Sequence, residues 1–119
     1  MSIDVEDLEQ VNEIWNRAIR YVDYSGENRG IEEAIRHGGK CHDYVEAKGF
    51  GLKQRGIASD QLSVGIGVTT DGEAEAHSVL ICDGWVLDNR RTEIYRQDEA
   101  EEAGEVRITD VLAYDLFFS

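Results

Sequence analysis

Apolar residues near the N-terminus recur at steps of three and four: Val5, Leu8, Val11, Trp15, Ala18, Ile19 and Val22. That spacing lines one face of an α-helix and predicts an amphipathic helix over residues 4–21, with Asp4 as its cap. Asn12 and Asn16 lie one turn apart on a neighbouring strip, which reads equally as exposed polar surface or as a functional strip. The Gly, Ser and Asn content of residues 23–30 predicts a loop. A short helix over 31–36 should stop at Gly38-Gly39. The next helix should begin at or near Cys41 and run to about residue 53, although Gly49 and Gly51 weaken its second half. Positions 41, 45 and 52 share a face of that helix, which turns Cys41 inward or into the floor of a cleft.

The period then changes. Residues 62–68 (LSVGIGV) alternate, 71–76 read as a turn, and 77–82 and 85–89 flank Asp83-Gly84, a strong hairpin signal. Residues 91–96 continue that strand or start another, and 97–105 (QDEAEEAGE) read as a solvated charged loop. Residues 106–118 read as a final strand with a break near Asp110. Helices first and an antiparallel sheet after them define an α+β fold, with residues 1–119 as a single domain.

Twelve basic against 25 acidic residues give a net charge of −13. Such a surface repels phosphate, which argues against nucleic-acid and anionic-membrane partners and favours a basic one. The acidic start MSIDVEDLEQ shows no signal peptide and no apolar run reaches a membrane-spanning length, so a cytoplasmic setting is expected. Two cysteines, Cys41 and Cys82, suit a reducing compartment rather than a disulfide framework.

Candidate chemistry centres on Cys41. A thiol at a helix N-terminus has its pKa lowered by unsatisfied N–H groups and the helix dipole. A nearby histidine adds ion pairing and a proton shuttle. Gly38 and Gly39 free the backbone to approach a bound carbonyl. A two-residue turn at Asp83-Gly84 pairs Cys82 with Trp85 and puts His77 opposite Arg90, so that Asp88 lies diagonally from His77 on the same face. Cys41, His77 and Asp88 are therefore the candidate nucleophile, base and orienting carboxylate. The pairs His37/Cys41 and His77/Cys82 look like zinc half-sites. Positions five apart on a strand face opposite ways, however, so no metal is expected and Cys82 is core or opposite-face filler. His42 follows Cys41 directly, and adjacent helical residues do not face one another, which makes it a poor base.

These segments resemble the bacterial transglutaminase-like cysteine proteinases, within the transglutaminase-like, papain-related superfamily. VNEIWNRAIRYV (11–22) looks like the family's Asn-containing opening helix. GKCHDYVEAK (39–48) looks like its Gly-Asp-Cys-Glu-Asp-Tyr-Ala segment, and HSVLICDGWVLDN (77–89) like its His-Ala-Val-Leu and Leu-Asp-Asn segments. The resemblance implies the same triad, Cys41, His77 and Asp88, in a transglutaminase-like core. Acidic residues flank the family's cysteine and are associated with calcium in some members. Lys40 and His42 stand there in this chain, so calcium is not carried over and no cofactor is expected. The tryptophan-containing stretch before the cysteine is shortened, and many relatives are exported. The expected activity is a thiol peptidase or amide hydrolase/acyl transferase working through a thioester on a protein or peptide substrate. The alternative is a noncatalytic acidic binding or inhibitory protein with the same fold.

Overall fold

In the computed structural model, which describes residues 3–119, Asp4 caps the first helix as its position predicts, accepting from the Glu6 N–H at 2.9 Å. Helix α1 runs Val5–Ala18 and buries Leu8 and Val11. It stops three residues short of the expected end because Ile19 turns extended and the chain pairs with the turn ahead of Cys41. There the Gly39 N–H donates to Arg20 O and the Val22 N–H to Gly39 O, both at 2.9 Å. Helix α2 spans Ile31–His37 and ends at Gly38, whose φ of 87° lies in the left-handed region that glycine tolerates.

Helix α3 spans Cys41–Gln54 without a break. Gly49 and Gly51 shape its packing rather than its end. A Cβ on Gly49 would fall 2.2 Å from the Tyr114 ring, and one on Gly51 would fall 2.6 Å from Trp15 Nε1. The missing side chains let α1 and the C-terminal segment close onto α3.

The sheet comprises β1 (Leu62–Thr69), β2 (Ala76–Cys82), β3 (Trp85–Leu87), β4 (Tyr95–Arg96) and β5 (Val106–Ala113), all antiparallel in the order β4-β3-β2-β1-β5. Asp83 and Gly84 both take positive φ (54° and 76°), as a two-residue hairpin turn requires. Cys82 pairs with Trp85, in the expected register. The ladder ends at Leu80↔Leu87, so Asp88 lies just past the end of β3.

Alternation along β2 supplies two cores. Leu80 and Cys82 join Leu62, Val64, Leu87, Val45 and Leu52 beneath the helices. Val79 and Ile81 face the other way, onto Val86, Tyr95 and Ala100. That second core corrects the reading of residues 97–105 as a solvated loop. The stretch forms a 3₁₀ turn, Gln97–Glu99, and a π turn, Ala100–Gly104, which bury Ala100 and Gly104 while the acidic side chains stay outside. The final strand is shorter than expected. The break near Asp110 is a bulge, with Ile66 opposite Asp110 and Gly67 opposite Ile108, and from Tyr114 to Phe117 the chain forms a helical turn, α4. No helix among the described residues is long and apolar enough to cross a membrane.

Candidate active site

Helix α3 starts at Cys41, the first residue with helical geometry, and Lys40 takes the cap position. The Asp43 carboxylate reaches back to accept from the Lys40 N–H at 3.1 Å, half of a capping box that fixes the helix start. Gly38 and Gly39 leave room for the packing of this turn. A Cβ on Gly39 would lie 2.7 Å from Asp43 Cβ and 2.9 Å from its Oδ2. Gly39→Ala should therefore push the helix start away from the turn. The expected loss is about 1–3 kcal/mol, read from urea unfolding midpoints, together with slower alkylation of Cys41.

Cys41, His77 and Asp88 come together, at 7%, 7% and 0% exposure. His77 Nε2 and Asp88 Oδ1 are 2.8 Å apart, which leaves Nδ1 for the thiol. Alternation sends Ser78 toward α3 and His77 toward the opposite face of β2. The thiol at the helix tip meets both residues. Burial pushes the Cys41 pKa up, but hydrogen bonds with His77 and with the Ser78 hydroxyl and backbone N–H outweigh it, and the net direction is down. Burial pulls His77 down, but the Asp88 hydrogen bond and the neighbouring Cys41 sulfur raise it to about 9. Burial likewise opposes ionisation of Asp88, yet the hydrogen bonds it accepts, from His77 above all, leave its pKa lowered. The three shifts favour thiolate, imidazolium and carboxylate together.

Tyr95 and Arg90 carry no functional signal in the sequence, and the asparagine strip of α1 carries an ambiguous one. Tyr95 donates to Asp88 Oδ2 (2.8 Å) and the Arg90 N–H to Oδ1 (2.9 Å). Asn16 Nδ2 donates to Asp88 O and Arg91 O, and Asn12 Nδ2 to Arg91 O and Thr92 O. The asparagine strip of α1 therefore clamps the loop that carries Asp88 and is not exposed polar surface. Its four-residue spacing was the available signal, without a partner to give it meaning. Ser78 also contacts His42 Nδ1 at 3.1 Å, so His42 packs beside Ser78. His37 lies on the surface near Glu33. Cys82 is fully buried beneath the helices, and its pKa is raised to about 11 by burial and by Asp83. Among the described residues no cluster of three or more His, Cys, Asp or Glu side chains is placed to hold a metal.

An α+β domain that sets a helix-start cysteine against a strand histidine has the fold of the transglutaminase-like cysteine proteases. The family model described as bacterial transglutaminase-like cysteine proteinase matches residues 2–103, and the chain belongs to that family. Solved structures of Legionella pneumophila LapG are similar. The EGTA-treated form is 22% identical with a TM-score of 0.73, over 93% of this chain and 64% of that one. The calcium-bound form is 21% identical with a TM-score of 0.72, over 94% and 70%. At this identity the likeness is one of fold, and the chain spans about two thirds of the length of those neighbours. Comparison with curated proteins finds no significant match.

Proposed function

We propose that this chain is a thiol peptidase acting on a protein or peptide substrate, with Cys41 as nucleophile, His77 as proton carrier and Asp88 as the group that orients and charges His77. The observation that carries this reading is the buried 2.8 Å contact between His77 Nε2 and Asp88 Oδ1 beside a thiol whose pKa is lowered. The Cys41 thiolate attacks the amide carbonyl carbon, and the carbonyl electrons move to oxygen. The Cys41 backbone N–H, at the first helical position and without an acceptor inside the helix, is the donor placed to meet that oxyanion. Collapse breaks the C–N bond as His77 gives its proton to the leaving amine, which forms a thioester. Water, deprotonated by His77, then releases the acid and restores the thiolate. An amine in place of water gives acyl transfer from the same intermediate.

A cleft of about 510 Å³ opens beside His77, with Tyr21, Thr69, Glu73, Glu75 and Asn89 in its wall. Asp71 on its rim is neutralised by Arg90 at 2.6 Å. Glu73 and Glu75 carry the remaining charge and favour a substrate segment with a basic side chain.

Alkylation by iodoacetamide tests the reading. Cys41 should react stoichiometrically near neutral pH while Cys82 stays protected. His77→Ala should slow the reaction by at least about tenfold, because it removes the group that stabilises the thiolate. The same variant should lose hydrolysis of unfolded protein substrates. If Cys41 reacts no faster than an unstructured thiol, the proposal fails.

A further inference from the structure

Two residues beside the nucleophile carry positive charge into a place rich in oxygen. Lys40 Nζ donates to Tyr24 O at 2.9 Å and lies 4.6 Å from the centre of the Tyr24 ring. Arg29 Nη1 donates to both His37 O and Gly38 O, each at 2.9 Å, and its guanidinium carbon lies 4.1 Å from the same ring. Asp43, fully buried, sits between them. Its carboxylate accepts from the Tyr24 hydroxyl, from the Arg29 N–H at 3.1 Å and from the Lys40 N–H at 3.1 Å. The loop over 23–30 is thereby fastened to the turn 37–40, whose last residue caps the helix of Cys41.

Calcium accompanies the flanking acidic residues in some members of the family, and one of the solved neighbours is described as calcium-bound. The donor set of this turn does not fit it. Calcium takes six to eight oxygen ligands, drawn from carboxylates, carbonyls and waters. The carbonyls of Tyr24, His37 and Gly38 already accept from an ammonium or a guanidinium, and both Asp43 oxygens accept from N–H or O–H donors. Lys40 and His42 flank the cysteine where a carboxylate would be needed, and a divalent ion would meet the Lys40 ammonium at close range.

We propose that Lys40 and Arg29 are the permanent cations of this site: tethered to the chain, they hold the 23–30 loop on the nucleophile's turn and make that turn independent of calcium. They are positioning residues, acting on Cys41 through the backbone of 37–40. The inference stands apart from the assignment of the triad. Its test can use a Cys41→Ala background, in which no thiol chemistry occurs at the site.

The experiment is hydrogen–deuterium exchange over residues 21–40, with thermal melting, in excess calcium chloride and in EGTA. The parent should show the same exchange and the same Tm in both. Lys40→Met and Arg29→Met should each speed exchange of this segment by about tenfold or more, as expected when a local tether is removed, and calcium should not restore it. Calcium titration followed by calorimetry should give no binding heat. A calcium-dependent rise in Tm of several degrees in the parent would overturn the proposal. So would exchange over 21–40 that neither methionine variant changes. Failure of the triad assignment would show instead as an unreactive Cys41 in the otherwise unaltered protein, with these exchange results intact.

Discussion

Asp88→Asn should lower kcat/KM for peptide hydrolysis by on the order of 10²-fold or more while leaving the backbone in place. The substitution is close to isosteric, and the existing contacts can survive it. Asp88 Oδ1 accepts from both His77 Nε2 and the Arg90 N–H, and the asparagine carbonyl can do the same. The new amide then faces the Tyr95 hydroxyl, which can accept where it now donates. What disappears is the charge. The Asp88 carboxylate is the main reason the His77 pKa stands at about 9 despite burial, so the variant's imidazole should titrate nearer its ordinary value of about 6.5. Thiolate and imidazolium coexist only above the Cys41 pKa and below the His77 pKa. The plateau of the pH–rate profile should therefore lose its alkaline side, with kcat falling more than KM rises. Tyr95→Phe is the control for packing. It removes one hydrogen bond to the carboxylate, with an expected cost of about 1–2 kcal/mol and little change in the alkaline limb. An Asp88→Asn enzyme with an unaltered pH profile would mean that the carboxylate only fills space.

The parts of this site that were legible in the sequence are those governed by local rules. Asp83-Gly84 allowed one two-residue turn, and that turn sets which β2 and β3 residues meet, which is why His77 and Asp88 could be matched across the hairpin. The helix start at Cys41 followed from the glycine pair that stops the chain just before it. Other features depend on contacts between distant segments. Gly49 and Gly51 look like helix weakeners until Tyr114 and Trp15 are seen against them. Residues 97–105 look solvated because acidic side chains outnumber the two small residues, Ala100 and Gly104, that make the buried contact. Asn12 and Asn16 carry no mark of the carbonyls they bind some 70 to 80 positions away. Lys48 was the least visible, since lysine is almost never fully buried without a partner.

Lys48→Met should change stability in a way that reverses with pH. Lys48 is completely buried, and its Nζ donates to Asn12 Oδ1 at 2.8 Å. Asn12 in turn binds the loop after Asp88, so this lysine links helix α3 to the loop that carries Asp88. Burial lowers its pKa to about 7, with the Asp88 charge pulling the other way. The unfolded chain holds the Lys48 proton up to about pH 10.5. Between about pH 7 and 10.5 the unfolded state thus binds more protons, and the lysine's contribution to stability rises with pH across that window, by about 5 kcal/mol at most. His77 acts in the opposite sense. Its folded pKa of about 9 lies above the unfolded value of about 6.5, so its contribution is complete below pH 6.5 and is lost by about pH 9. The two partly cancel in the wild-type profile. Subtracting the urea-derived stability of Lys48→Met at each pH removes His77 and every other shared group, leaving the lysine alone. At pH 6 the methionine variant should equal or exceed the wild type, since it no longer buries an ammonium. At pH 10 it should be the less stable by about 1–3 kcal/mol, because Asn12 Oδ1 is left buried without a donor. A difference that stays constant from pH 6 to 10 would show that Lys48 keeps its proton in the folded core, held by Asn12 and the nearby Asp88 charge.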